Sequence, residues 1–288
     1  MAIQRLGIVG SGIMGSGIAE VAAKAGVTVV LRSRKQESAD AMVAALGKSL
    51  AKQVERGKLD EAEAAAVTGR VSATADLEAL ADCDLVLESI VEDLETKKQL
   101  FTELDRIVKA GAILATNTST LPVVEMAVDT GRPERVCGIH FFNPATAMSL
   151  VEIVRTLVSS DETVAEARAF AEACGKEAVV VEDRAGFIVN ALLFPYLNNA
   201  VRMLENRIAS RDDIDAAMQG GCNFPMGPLA LLDLVGLDTS VAILDALYAE
   251  FRDPNYAAVP LLRRMVAAGH LGRKSGRGFY DYGDGGPE

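Results

Sequence analysis

The amino-acid sequence predicts the α/β class, with a doubly wound, largely parallel sheet followed by an all-α C-terminal domain. Between residues 3 and 182, short β-branched runs alternate with longer stretches of helical period rich in Ala, Leu, Glu and Lys. A glycine-rich turn, Gly10-Ser-Gly12-Ile-Met-Gly15, joins the first run to the first helical stretch, and past Asp183-Arg184-Ala185-Gly186 the strand-like runs stop. Alternating strands and helices are accommodated by parallel strands with crossover helices on both faces of a sheet. The predicted strands are Arg5–Val9, Val27–Leu31, Val71–Ser72, Leu85–Glu88, Ala112–Thr116, Val136–Phe142, Leu150–Arg155 and Ala178–Val181. In the C-terminal part the predicted helices are Phe187–Ile208, Arg211–Met218, Pro228–Leu234, Asp238–Phe251 and Pro260–Ala268. The expected domains are therefore 1–184 and 185–288, with Gly283-Asp-Gly-Gly-Pro-Glu as a disordered tail.

Half of the 288 residues are apolar, enough for two modest domains that each bury a core. With 29 basic against 40 acidic residues the formal charge is −11, which argues against nucleic acid or anionic membrane as partners and leaves small molecules. The longest apolar runs, such as Pro228 to Val235, are too short to cross a bilayer, and Met1-Ala-Ile-Gln-Arg leads into a strand without the apolar core of a signal peptide. A cytoplasmic location is expected. Cys83, Cys137, Cys174 and Cys222 form no C-x-x-C pair, and the two histidines are His140 and His270, so no metal site is expected and His270 reads as a loop residue.

In the glycine turn, the first glycine permits the tight bend, the second lets backbone N–H groups approach a pyrophosphate at the helix N-terminus, and the third lets the helix pack on the strand. Set between a predicted strand and a helix running to about Ala25, with the next strand opening at Val27, the motif marks a Rossmann-type dinucleotide site contributed by Gly10, Ser11, Gly12, Ile13, Met14 and Gly15. An acid at the end of the second strand would take the ribose 2′-hydroxyl, but Val29-Val-Leu-Arg32-Ser33-Arg34-Lys35 has no carboxylate. A hydroxyl between two guanidinium groups suits a 2′-phosphate, so Arg32, Ser33 and Arg34 favour NADP(H) over NAD(H). The alternative is that both arginines are solvated loop charges and NAD(H) binds through Ser33 and backbone.

Further on, Val136-Cys-Gly-Ile-His140-Phe-Phe-Asn143-Pro144-Ala-Thr-Ala-Met-Ser-Leu150-Val-Glu152-Ile-Val reads as strand, turn, strand. A hairpin centred on residue 146 sets His140 opposite Glu152, so that a carboxylate fixes the imidazole tautomer and raises its basicity for proton transfer. Asn117-Thr118-Ser119 follows the apolar run Ala112–Leu114 and projects from the carboxyl end of a strand, where open sheets bind ligands.

Together these segments resemble the 3-hydroxyacyl-CoA dehydrogenases, most closely the short bacterial 3-hydroxybutyryl-CoA dehydrogenases. The resemblance is carried by Gly10 to Gly15, Glu88-Ser-Ile-Val-Glu92-Asp-Leu-Glu-Thr-Lys97, Asn117-Thr-Ser119, the His140 to Glu152 block, Gly186-Phe-Ile-Val-Asn190, Pro225-Met-Gly-Pro228 and Gly272-Arg-Lys274-Ser-Gly-Arg-Gly-Phe-Tyr280, in family order from residue 3 to about 282. It implies an oxidoreductase that interconverts 3-hydroxyacyl-CoA and 3-oxoacyl-CoA (3-hydroxybutyryl-CoA and acetoacetyl-CoA) by hydride transfer. His140 would be the general acid and base, Glu152 its orienting partner, and Ser119 and Asn190 polar contacts at the reacting oxygen and the histidine. Glu92, Lys97, Ser119, Asn143 and Lys274 would contact the cofactor. More ordinary roles are a surface charge pair for Glu92 and Lys97, a helix cap for Asn190 and a solvated tail charge for Lys274. The departure from the family pattern is Ser33, where the strand-two acid would stand, and it bears on cofactor choice.

A predicted helix over Ala39–Arg56 carries Lys48, Lys52 and Arg56 on one face with Ser49 beside them. The resemblance matches Ser49 and Arg56 to contacts with the CoA part of the substrate, and Lys52 extends the stripe; the ordinary reading is a solvated helix face. It also implies a homodimer formed through the helical domain, and the apolar Pro228-Leu-Ala-Leu-Leu-Asp-Leu-Val-Gly-Leu237 stretch suits such packing. Two other functions fit the fold: another β-hydroxyacid dehydrogenase, which would look for a lysine between Gly186 and Asn206 where none occurs, or a non-enzymatic crystallin-like binding protein, against which the intact Ser119, His140, Glu152 and Asn190 count.

Overall fold

A computed structural model describes residues 3–283. The chain divides into two compact units, Met1–Asp183 and Arg184–Glu288. The first contains, in order, β1 (Arg5–Val9), α1 (Ile13–Lys24), β2 (Thr28–Arg32), α2 (Gln36–Glu55), α3 (Glu61–Gly69), β3 (Val71–Thr74), β4 (Leu85–Glu88), α4 (Leu94–Ile107), β5 (Ile113–Thr116), α5 (Val123–Ala127), β6 (Val136–Phe141), β7 (Leu150–Arg155), α6 (Asp161–Ala173) and β8 (Glu177–Glu182). Among the described residues the strands form one eight-stranded sheet in the order β3-β2-β1-β4-β5-β6-β7-β8. Every neighbouring pair is parallel except β6 and β7. This is the doubly wound α/β class that the sequence predicts.

The central strands are apolar on both faces because helices cover both: β4 and β5 are buried throughout, and in α1 the small side chains of Ala19, Ala22 and Ala23 let the helix lie close to the sheet. All eight predicted strands form, with ends shifted by a residue or two. Strand β2 begins at Thr28 instead of Val27, since the Val27 N–H bonds back to the Ala22 carbonyl and closes α1. Ala112 likewise belongs to a turn onto Lys109, so β5 begins at Ile113. Helix α2 begins at Gln36, three residues ahead of the predicted Ala39.

The second unit contains α7 (Val189–Glu205), α8 (Arg211–Cys222), α9 (Pro228–Val235), α10 (Leu237–Phe251) and α11 (Pro260–Ala267), so it is helical as expected. Helix α7 is shorter than Phe187–Ile208 because Phe187 and Arg207 take left-handed backbone angles at its two ends. Helix α8 runs past Met218 to Cys222, where Asn223 supplies a left-handed stop. Two buried carboxylates tie this unit together. Asp215 accepts the Leu229 and Ala230 N–H groups and the Tyr280 hydroxyl, while Asp233 accepts the Phe279 and Tyr280 N–H groups and the Tyr282 hydroxyl. The Pro228–Leu237 stretch is not an outward-facing patch. Leu229, Leu232 and Leu237 are fully buried in the unit's own core and Leu234 is the leucine it exposes, because α9 is covered on several sides by α7, α8 and α10. Residues 284–288 of the predicted disordered tail lie outside the described residues. Among the described residues no helix is long and apolar enough to cross a membrane.

Candidate active site

The turn after β1 assembles one end of the site. Gly10 has φ +135°, and a Cβ there would stand 2.1 Å from the Ser89 carbonyl oxygen, while a Cβ on Gly15 would stand 2.4 Å from the Gly10 carbonyl oxygen. Those two glycines are explained by the fold. Gly12 is different: a Cβ there would meet no protein atom within 4 Å, so internal packing does not require a glycine, and close approach of a ligand to the N-terminus of α1 does. Beside it lies a cleft of about 520 Å³ lined by Gly10, Ser11, Gly12, Arg32, Ser33 and Arg34 from one side and by Ser89 to Val91 with Thr96, Gln99 and Glu103 from the other. The three strand-two residues and the glycine turn thus share one cavity, helped by a hydrogen bond from the Gly10 N–H to the Arg32 carbonyl. Arg32 makes a long 3.4 Å bond from Nε to the Ala75 carbonyl, Arg34 is exposed, and Ser33 is largely covered. The residues fit a dinucleotide: a backbone cradle for the pyrophosphate and two guanidinium groups where the adenosine ribose ends.

At the carboxyl ends of β5 and β6 lies a second constellation. The antiparallel β6–β7 register pairs His140 directly with Glu152. His140 Nδ1 is 2.8 Å from Glu152 Oε2 and its Nε2 is 3.1 Å from Ser119 Oγ. Both His140 and Glu152 are buried. With Glu152 ionised, Nδ1 must carry its proton toward the carboxylate, which leaves Nε2 as the atom that exchanges a proton. The Phe142 ring lies against the imidazole with centroids 4.5 Å apart. Asn117 Oδ1 accepts the Phe141 N–H at 2.8 Å, fastening the Ser119 loop to the strand that carries His140. Cys137, on the same strand, is no nucleophile: burial pushes its thiol up to about 12.

Between these two regions lies Lys97, for which the alternative reading as a surface charge needs correction: its side chain is 1 % exposed, with Nζ 2.6 Å from Glu88 Oε1 and 3.3 Å from Glu92 Oε2. Lys97 sits one turn into α4, and its stem reaches inward to the end of β4, where Glu88 is fully buried. Glu92 is half-exposed and accepts the Ser119 N–H at 3.1 Å and the Thr118 hydroxyl. An ammonium held between two carboxylates is engaged within the chain.

Residues 5–184 match the family model described as 3-hydroxyacyl-CoA dehydrogenase, NAD binding domain, and residues 186–282 match 3-hydroxyacyl-CoA dehydrogenase, C-terminal domain. The chain belongs to the 3-hydroxyacyl-CoA dehydrogenase family. It is 50 % identical over 287 residues to a 3-hydroxybutyryl-CoA dehydrogenase of Mycobacterium tuberculosis, covering 98 % of this chain and 99 % of the relative. A 3-hydroxybutyryl-CoA dehydrogenase of Clostridioides difficile is 46 % identical over 278 residues, covering 96 % of this chain and 99 % of the relative. The crystal structure of (S)-3-hydroxybutyryl-CoA dehydrogenase from Ralstonia eutropha superposes with a TM-score of 0.96 at 41 % identity, covering 98 % of this chain and 100 % of that one.

The remaining sequence-predicted residues of this dehydrogenase are distributed over both units. Asn143 is exposed in the turn after β6. In the helical unit, Asn190 is buried in the first turn of α7, and Lys274 is half-exposed with its ammonium on the Asp238 carboxylate at 2.5 Å. On α2 and its C-terminal cap, Lys48, Lys52 and Arg56 are exposed, and Ser49 beside them is partly buried, its hydroxyl donating to Glu20 at 2.9 Å. Burial alone would raise the Glu20 carboxyl, but hydrogen bonds from Lys24, Gln53 and Ser49 hold it below the usual range, so Ser49 joins α2 to α1. Sequence reasoning missed Thr96, Gln99 and Glu103 in the dehydrogenase's cleft, and it missed Glu88 and Thr116. The signal for Glu88 was available in a carboxylate ending the apolar run Leu85-Val-Leu87, which cannot be buried without a cationic partner.

Proposed function

We propose that the chain is a 3-hydroxybutyryl-CoA dehydrogenase that interconverts acetoacetyl-CoA and 3-hydroxybutyryl-CoA, with NADP(H) favoured over NAD(H). The observation that carries this is His140, buried between Glu152 and Ser119 at the carboxyl ends of the central strands, in a chain whose relatives at 46–50 % identity bear that name. The bound nicotinamide supplies or receives the hydride at C3. For reduction, His140 Nε2 gives a proton to the C3 oxygen, and for oxidation it takes that proton back. Glu152 holds the Nδ1 proton and offsets the charge of the imidazolium, and Ser119 Oγ donates a hydrogen bond to the same oxygen. The Gly10–Gly15 turn holds the pyrophosphate, and Arg32, Ser33 and Arg34 receive a 2′-phosphate in the cleft.

Lys52 and Arg56 are assigned to the CoA phosphates. Acetoacetyl-CoA is expected to be reduced with a kcat/KM at least about 100-fold above that of free acetoacetate, because binding energy from the remote CoA part is used at the reacting carbon. In Lys52→Glu/Arg56→Glu, the KM for acetoacetyl-CoA is expected to rise about tenfold. Equal rates with acetoacetate would favour the other β-hydroxyacid dehydrogenase reading, and an unaltered KM in the double variant would free those cations of any role. The helical unit exposes Leu192, Ile208 and Leu234, which suits a homodimer, and sedimentation equilibrium is expected to give the mass of two chains. A single-chain mass at micromolar concentration would remove the dimer.

A further inference from the structure

We propose that Glu88 and Lys97 are positioning residues: a buried ion pair that sets Ser119 against His140. This rests on the reading of Ser119 and His140 as the reacting pair. The connections run from the interior outward. Glu88 Oε1 accepts Lys97 Nζ and the Ile90 N–H, each at 2.6 Å, and Oε2 accepts the Thr116 hydroxyl at 2.7 Å. Thr116 Oγ1 in turn accepts the Thr118 N–H at 3.1 Å. Lys97 passes to Glu92 at 3.3 Å, and Glu92 takes the Thr118 hydroxyl and the Ser119 N–H. Thr118 Oγ1 also accepts the Leu121 N–H at 3.1 Å.

The backbone N–H groups of Thr118, Ser119 and Leu121 are therefore all anchored, directly or through one hydroxyl, on two carboxylates that share one ammonium. A buried ion pair adds little net stability compared with apolar side chains of the same volume, because desolvation offsets the attraction. What it adds is fixed direction. Each carboxylate oxygen is committed to named donors, and the loop that carries Ser119 has one arrangement that satisfies them all. Displacement of Ser119 Oγ by about 1 Å takes it out of the 3.1 Å contact with His140 Nε2, and misplacements of that size are costly at a reacting centre.

The experiment is acetoacetyl-CoA reduction by Glu88→Gln and Thr116→Val, each made in the wild-type and in the Ser119→Ala background, with NADH binding followed by nicotinamide fluorescence. Glu88→Gln keeps the shape and removes the charge, and Thr116→Val removes one Glu88 donor while keeping every charge, so a folded variant is at hand if the glutamine form fails. In the wild-type background kcat is expected to fall about tenfold for Glu88→Gln and about threefold for Thr116→Val, with the Kd for NADH unchanged within about twofold. In the Ser119→Ala background the same substitutions are expected to change kcat by less than about twofold, since no hydroxyl remains to be placed. Equal losses in both backgrounds, or a Kd for NADH that rises in step with the loss of kcat, would overturn the proposal. A Ser119→Ala parent with undiminished kcat would instead overturn the role of Ser119 itself, and this proposal with it.

Discussion

Replacing His140 by glutamine is expected to lower kcat for acetoacetyl-CoA reduction by about 10²- to 10⁴-fold, the range a positioned acid–base group contributes. Glutamine can still face Glu152 across the β6–β7 pair and Ser119 on the other side, so the site keeps its shape. It cannot carry a proton to the C3 oxygen. The loss should therefore fall on kcat, while the Kd for the nicotinamide cofactor, whose cleft lies at the glycine turn, stays within about twofold. Stopped-flow kinetics and fluorescence titration separate the two. A His140→Gln enzyme with wild-type kcat would remove the histidine from the chemistry.

The second large effect concerns the cofactor. In Arg32→Asp/Ser33→Asp, the ratio of kcat/KM for NADPH to that for NADH is expected to fall by at least about 100-fold. Two effects act together. A charge-assisted hydrogen bond to the 2′-phosphate, on the order of 1.5–3 kcal/mol, is lost, and carboxylates are placed where they repel that phosphate and accept from a ribose 2′-hydroxyl. The structure leaves the Arg32 guanidinium available for such a role, since the one hydrogen bond its side chain makes among the described residues is 3.4 Å long, and Arg34 is exposed beside it at the mouth of the same cleft. An unchanged ratio would mean that both guanidinium groups are solvated surface charges.

Much of this was legible in the sequence because it depends on local rules. The hairpin that opposes His140 and Glu152 follows from a two-residue strand period and an Asn-Pro turn, and the glycine turn follows from its place between a strand and a helix. What was illegible depends on burial that no local pattern encodes. Helical spacing does not tell whether Lys97 points to water or into the end of β4, and only the packed structure shows that Glu88 and Glu92 close around it. Ser49 was read beside an outer basic stripe with α2 considered alone, which could not show that its hydroxyl meets Glu20 on a different helix. The apolar run at Pro228–Leu237 was read as suited to an interface, and an all-round apolar helix is equally what a small helical unit needs at its own centre. In the first two cases the missing information was a long-range polar partner, and in the third it was the identity of the neighbour.

The central claim is that hydride moves from the nicotinamide to C3 of a CoA thioester while His140 supplies the proton. It is tested most directly by incubating the enzyme with acetoacetyl-CoA and nicotinamide cofactor deuterated at C4, then locating the label by mass spectrometry. The expected result is 3-hydroxybutyryl-CoA with one deuterium at C3 in the wild type, and a rate of labelling at least about 100-fold slower in His140→Gln. Cofactor binding without formation of labelled 3-hydroxybutyryl-CoA, or labelling at the wild-type rate in the variant, would contradict it.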